Sequence, residues 1–158
     1  MALVRILVDG YSLLHNWPEL AVGRPRHSAA AREELIRRLT LYRDATDTPI
    51  TIFFDGANTQ RRAFTKPSPS ELEVLYSRSG QTADQMIERA AHRFSEFGEV
   101  LAVTDDYAER DTVTAMGGIS SSCLNFIQTV ESTLTDMKRE INNRNLHERN
   151  KFNRRQSK

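Results

Sequence analysis

Three short apolar runs, each followed by an aspartate, constrain this chain more than any other feature. Residues 3–8, 50–54 and 100–103 are four to six residues long and rich in Val, Ile, Leu and Phe. None alternates cleanly between apolar and polar side chains, which is the pattern of strands covered on both faces of a parallel sheet. Helical periodicity fills the spaces between them. From Ser28, a plausible N-cap, to about Ala45, the residues Leu35, Ile36, Leu39 and Tyr42 share one face. From Thr82 to Phe97 the apolar set is Ala83, Met86, Ile87, Ala90, Ala91, Phe94 and Phe97, and Thr82 with Gln85 has the spacing of a capping box. Alternating strand and helix predicts an α/β domain with a right-handed, mostly parallel sheet.

Further elements fit around that core. Residues 61–66 and 73–77 read as short extended segments on either side of a Pro-Ser-Pro-Ser loop, the second a candidate fourth strand. A short helix is expected over 107–115, a break at Gly117-Gly118, and a long helix from Ser120 to Ser122 onward. In that helix Cys123, Ile127, Val130, Leu134, Met137 and Ile141 form one apolar seam. Core packing is the favoured use of such a seam, although it would also close a homodimer. Beyond Ile141 the apolar period is lost. The expected organisation is a folded domain over 1–141 and a basic, flexible tail over 142–158.

The net charge of +1 hides a split between these parts. Residues 138–158 hold 8 basic and 2 acidic side chains, a charge of +6, whereas the other 137 residues hold 14 basic and 19 acidic, a charge of −5. An acidic body with a basic end suggests different tasks for the two. The lone Cys123 excludes an internal disulfide framework and a cysteine-based zinc site, and a reducing cytoplasm is the expected compartment. The N-terminal stretch reads as a strand rather than a secretory signal. No apolar run approaches the roughly 18 residues of a membrane span, so no membrane partner is expected.

The chemistry is carried by the acids that follow the strands. Asp9 follows the first run, Asp55 the second, and Asp105 and Asp106 the third. In an open parallel sheet the carboxyl ends of the strands line the functional crevice. Asp84, in the first turn of the capped helix, and Glu88, one turn later on the same face, join that edge if the helix starts there. One aspartate after a strand is ordinarily a turn residue or a helix cap. Several with one destination repel each other unless a cation is shared, and a hard divalent ion such as Mg²⁺ or Mn²⁺ suits oxygen ligands and phosphate substrates. Phosphodiester hydrolysis is the chemistry this arrangement supports. No Ser/His/Asp or Cys/His set competes: His15, His27, His92 and His147 are scattered, and there is no phosphate-binding glycine loop.

The blocks Ile6-Leu-Val-Asp-Gly-Tyr-Ser-Leu-Leu with Asn16-Trp-Pro-Glu-Leu, Phe53-Phe-Asp-Gly, Gln81-Thr-Ala-Asp-Gln-Met-Ile-Glu and Val103-Thr-Asp-Asp-Tyr-Ala-Glu resemble, in order and spacing, the YacP-like branch of the NYN domains. The resemblance covers about residues 3 to 140. It implies a three-layer α/β/α PIN-like domain with a long C-terminal helix, and the activity of a metal-dependent ribonuclease. Relatives in that family include a ribosome-associated endoribonuclease that cleaves mRNA. Carried across position by position, the family's acidic pocket falls on Asp9, Asp84 and Asp106 as catalytic and metal-holding residues, with Asp55, Glu88 and Asp105 as supporting or alternative acids. The family's T-x-D pattern, here Thr104 to Asp106, favours Asp106 over Asp105. Ser12 stands where the family commonly has Asn, and its shorter hydroxyl in place of an amide implies weakened or retuned activity.

RNA approaching an acidic pocket needs flanking cations. Arg32, Arg61, Arg62, Lys66 and Arg78 are the candidates near the crevice, and Arg144, Arg149, Arg154 and Arg155 those of the tail, where Asn and Gln separate the charges. The leading expectation is therefore an endoribonuclease preferring single strands, acting on mRNA or contacting ribosomal RNA, with the ribosome as an expected partner. Its rival is an RNA- or ribosome-binding module that does not cut. A phospho-receiver domain, which also ends strands in aspartate, fits worse, because no strand-borne lysine follows.

Overall fold

A computed structural model of the chain describes residues 3–56, 72–78 and 80–156. The chain folds in the order β1 (Leu3–Asp9), α1 (Gly10–His15), a 3₁₀ turn (Pro18–Ala21), α2 (Ala29–Thr46), β2 (Ile50–Phe54), β3 (Glu73–Tyr76), α3 (Ala83–Phe94), β4 (Glu99–Val103), α4 (Tyr107–Ala115), β5 (Ile119–Ser121) and α5 (Cys123–Gln156). The five strands form one sheet in the order β3-β2-β1-β4-β5, and every described pairing is parallel. Alternate side chains of each strand enter opposite layers. Ile6, Val8, Ile50, Ile52 and Phe54 pack with α1, α2 and α5, while Leu7, Phe53, Val100 and Ala102 pack with α3 and α4. The expected three-layer α/β/α architecture is the one observed.

Local chemistry sets the element ends. Ser28 caps α2 by accepting from the Ala31 amide (3.2 Å), and α2 stops at Asp47 in the left-handed conformation at φ 55°. The capping box at α3 is complete, with the Gln85 amide donating to Thr82 Oγ1 (3.2 Å) and the Thr82 amide to Gln85 Oε1 (3.1 Å). Gly10 packs its backbone so close to the Phe54 ring that a Cβ there would collide with it. That close approach lets the chain turn from β1 directly into α1.

Several expectations need correction. Helix α1 and the strand β5 were not foreseen, because six and three residues are too few to show a period, and the residues 119–121 are Ile-Ser-Ser. β5 exists because it pairs with β4 from Leu101–Ile119 to Val103–Ser121. Phe97 is not part of the apolar face of α3: the helix ends at Phe94 and Phe97 is 71% exposed. The 61–66 segment lies outside the described residues. The long helix does not end near Ile141, since α5 continues to Gln156. Its first half is the seam, with Cys123, Phe126, Ile127 and Val130 buried against α2 and the sheet, each worth about 1.5–3 kcal/mol. Trp17, fully buried, fixes this contact through an Nε1 bond to Glu131 Oε1 (3.0 Å) under the Arg38 guanidinium. Residues 138–154 are all exposed, so the change at residue 141 is one of surroundings within a single helix. No helix among the described residues is long and apolar enough to cross a membrane.

Candidate active site

The order β3-β2-β1-β4-β5 means that the chain leaves β1 in one direction and returns to its other side at β4. The carboxyl ends of β1 and β4 flank this switch point, where open parallel sheets form their binding crevice. Three carboxylates meet there. Asp9 ends β1, Asp84 lies in the first turn of α3, and Glu109 is the third residue of α4. One oxygen from each lies within 4.8 Å of the others.

Each acid is held by its own neighbours. Asp9 caps α1, its Oδ1 accepting from the Ser12 amide at 3.3 Å. Burial pushes the Asp9 carboxyl up to about 6, the nearby Asp84 adds to that, and the Ser12 amide and hydroxyl act against it. Glu109 is 2% exposed. Its Oε2 accepts from Thr104 Oγ1 at 3.3 Å, and its Oε1 is buried without a hydrogen-bond donor. Burial raises the Glu109 carboxyl to about 9, with Asp84 and then Asp9 adding to the effect and Thr104 opposing it. Three acids arranged so that two resist ionisation are held at a cost unless a cation neutralises them. The buried, undonated Oε1 of Glu109, beside the oxygens of Asp9 and Asp84, makes an all-oxygen donor set that fits a hard divalent cation.

The remaining sequence-predicted residues divide by what they touch. Asp106 is outside the trio: exposed, it caps α4, its Oδ1 accepting from the amides of Ala108 (2.9 Å) and Glu109 (3.4 Å). Thr104 Oγ1 in turn accepts from the Asp106 amide at 3.2 Å, so Thr104 and Asp106 together orient the turn that presents Glu109. Asp105 ties elements together, accepting from the Cys123 amide at the start of α5 and from Asn16 Nδ2 after α1, each at 2.9 Å. Asp55 accepts from Ser77 Oγ at 3.1 Å at the ends of β2 and β3. Glu88 lies half-buried one turn along α3 and is not part of the trio. Ser12 touches Asp9 as described. Arg32 sits in the first turns of α2 at the crevice edge, Arg78 is exposed just after β3, and Arg144, Arg149 and Arg154 are exposed along α5. Arg155 belongs to the last turn of α5. Arg61, Arg62 and Lys66 lie outside the described residues.

Glu109 is the acid that sequence reasoning did not assign. It sits three residues after a helix cap, as in a capping box, where a glutamate ordinarily faces solvent and complements the helix dipole. The signal that would have found it is the one used for Asp84, an acid in the first turn of a helix that begins at the crevice.

A family model described as the YacP-like NYN domain matches residues 6–158. The chain is 26% identical over 137 residues to the uncharacterized protein YacP of Bacillus subtilis (strain 168), covering 86% of this chain and 80% of that one. The crystal structure of Rae1 (YacP) from Bacillus subtilis is similar at a TM-score of 0.72 and 25% identity, covering 90% of this chain and 80% of its own. Its W164L mutant superposes equally well, with a TM-score of 0.72 at 24% identity over 87% of this chain and 80% of the other.

Proposed function

The chain belongs to the YacP-like NYN domain family, a PIN-like nuclease fold, and on that premise we propose that it is a divalent-metal-dependent endoribonuclease with Asp9, Asp84 and Glu109 at its centre. The observation that carries this reading is the meeting of three carboxylates at the switch point, one of them buried with an undonated oxygen. Asp9, Asp84 and Glu109 would hold Mg²⁺ or Mn²⁺. When bound, such an ion polarises a phosphate and lowers the pKa of water, the chemistry that phosphodiester hydrolysis requires.

The chain's own residues supply orientation. Ser12 fixes Oδ1 of Asp9 through its amide and so orients the carboxylate toward the centre. Thr104 does the same for Glu109, and Asp106 locks the helix turn that carries it. Asp106 therefore acts in this reading as a positioning residue. The RNA is messenger or ribosomal RNA, bound by Arg32 and Arg78 near the centre and by Arg144, Arg149, Arg154 and Arg155 along α5. The exposed half of α5 carries most of the chain's basic excess, with Ile141, Leu146 and Phe152 as its exposed large apolar residues, and that row of cations suits RNA phosphates. The ribosome, in the cytoplasm, is the natural setting for such an arm.

The test is cleavage of single-stranded RNA with Mg²⁺ or Mn²⁺ by the wild type and by Asp84→Asn. Loss of at least a hundredfold in rate is expected in a variant that still unfolds cooperatively and, in EDTA, melts no lower than the wild type, since even outer residues around a metal cost about 10–100-fold. Equal activity in the variant would remove the assignment. The rival reading, an RNA-binding module that does not cut, draws on Ser12 in place of the family's usual Asn. It would be favoured by salt-sensitive RNA binding with no cleavage under either metal.

A further inference from the structure

The crevice edge carries a second cluster that the acidic trio does not use. His27, Tyr11, Phe54 and Tyr76 form a run of four rings, with successive centroids 4.6, 4.9 and 5.4 Å apart. Phe54 closes β2, Tyr76 closes β3, and Tyr11 lies two residues past Asp9, so the run follows the same edge as the acids. Phe54 is buried, Tyr11 is half-buried, and His27 is exposed. One end of the stack therefore opens to solvent.

Cations surround that open end. Arg32 Nη1 donates to the His27 carbonyl at 2.8 Å and to the Tyr11 hydroxyl at 3.4 Å, which pins the loop before α2. Arg26 Nη1 donates to the His15 carbonyl at 3.1 Å. Neither Arg26 nor Arg32 is paired with a carboxylate among the described residues, whereas the other arginines of α2 are: Arg37 and Arg38 with Glu34, and Arg43 with Asp44 and Asp47. Because α2 leads back to the start of β2, its first turn lies at the edge where the strands end. Among the described residues, the guanidinium of this helix without a carboxylate is thus the one beside the crevice, and its Nη2 and Nε meet no acceptor there.

We propose that His27 and Tyr11, flanked by Arg26 and Arg32, bind one unpaired nucleotide of the RNA chain entering the acidic site. The base stacks on the exposed His27 ring, which the Tyr11 ring backs, and the phosphates meet the two guanidiniums. Stacking of this kind tolerates any base because every base has a π-face, and it requires the base to be out of a duplex. Planar guanidiniums with free donors match phosphate oxygens in pairs. This inference rests on the RNA-substrate reading above and adds to it a place for one nucleotide and a physical ground for the expected preference for single strands.

The test separates the two. Binding is measured without metal, by fluorescence anisotropy of a labelled oligouridylate about ten nucleotides long, and cleavage is measured separately with Mn²⁺. His27→Ala should weaken binding by about fivefold or more, the low end of what one stacked base contributes. His27→Phe should restore it, and Arg26→Ala should lower the slope of log affinity against log salt by about one. A matching RNA duplex should bind the wild type and His27→Ala alike. Binding by His27→Ala within twofold of wild type, or failure of His27→Phe to restore it in a protein of normal melting temperature, overturns the proposal while leaving cleavage by the wild type as evidence for the nuclease reading. Normal stacking effects with no cleavage under any divalent ion would overturn the nuclease reading alone.

Discussion

Replacing Glu109 with Gln tests the electrostatics of the site directly. Without metal, the Glu109 carboxyl is raised to about 9 from an ordinary value of 4.5, chiefly by burial. Between those two values the folded chain holds a proton at this position that the unfolded chain has released. Stability therefore falls as pH rises through this window, by up to about 1.4 kcal/mol per pH unit for one proton. From pH 6 to pH 8 the metal-free wild type should lose at most about 2.7 kcal/mol on this account, which for a domain of this size is a fall of roughly 5–10 °C in melting temperature. Asp9, raised to about 6, adds its own loss mainly below that interval. Gln is nearly isosteric with the protonated acid and does not titrate, so Glu109→Gln should flatten the profile and melt higher than wild type at pH 8 in EDTA. Manganese should reverse the order by stabilising the wild type and not the variant, because a ligand that binds only the folded state stabilises it. Thermal unfolding at pH 6, 7 and 8, with EDTA and with Mn²⁺, measures both effects. Parallel pH profiles for wild type and Glu109→Gln in EDTA would refute the reasoning.

Two other perturbations probe the surroundings. Thr104→Val removes the hydroxyl that donates to Glu109 Oε2 and accepts from the Asp106 amide; it should cost about 1–3 kcal/mol in chemical denaturation and about 10–100-fold in Mn²⁺ affinity by calorimetry. Ending the chain after Ile141 removes only exposed residues of α5 among those described, so the melting temperature should move by no more than a few degrees while RNA affinity and its salt dependence both fall; an unchanged salt slope would show that the helix end does not touch RNA.

The central strands were legible because each is a continuous apolar run, a signal that survives without knowledge of neighbours. α3 was legible from its capping box and its apolar period. β5 was not, since a strand of Ile-Ser-Ser is made by the free edge of β4 and not by its own composition. The trio was half legible: the crevice rule placed Asp9 and Asp84 correctly at one edge, but could not separate acids that point inward from those that cap. Asp106 spends an oxygen on two amides of the α4 turn, and Asp105 spends both of its oxygens on α5 and Asn16. Those amide positions are set by tertiary structure, and so is the 2% exposure that marks Glu109. The helicity of α5 beyond residue 141 was missed for a different reason. Its apolar residues Ile141, Leu146 and Phe152 follow no helical period, and among its supports is an exposed i to i+4 pair, Glu140 with Arg144 at 2.8 Å, worth only about 0.3–0.5 kcal/mol.

The charge split takes on meaning from this geometry. A body carrying −5 would repel RNA if its acids were spread over the surface facing the substrate. Part of that charge is not expressed at the crevice: Glu109 holds its proton to about 9 in the absence of metal, and a divalent cation between Asp9, Asp84 and Glu109 would cancel most of what remains. At the crevice rim Arg26 and Arg32 have no carboxylate partner among the described residues, whereas on the far turns of α2 every arginine has one. The field that a phosphate backbone meets at the crevice is therefore more positive than the composition of the body suggests, and it becomes so most fully when the metal is bound. It follows that metal and RNA should favour each other's binding: Mn²⁺ should tighten RNA binding to an Asp106→Asn variant, which keeps the trio, more than to Asp84→Asn, which breaks it. Equal tightening in both would mean that the cation acts on the RNA alone and that the trio does not couple the two.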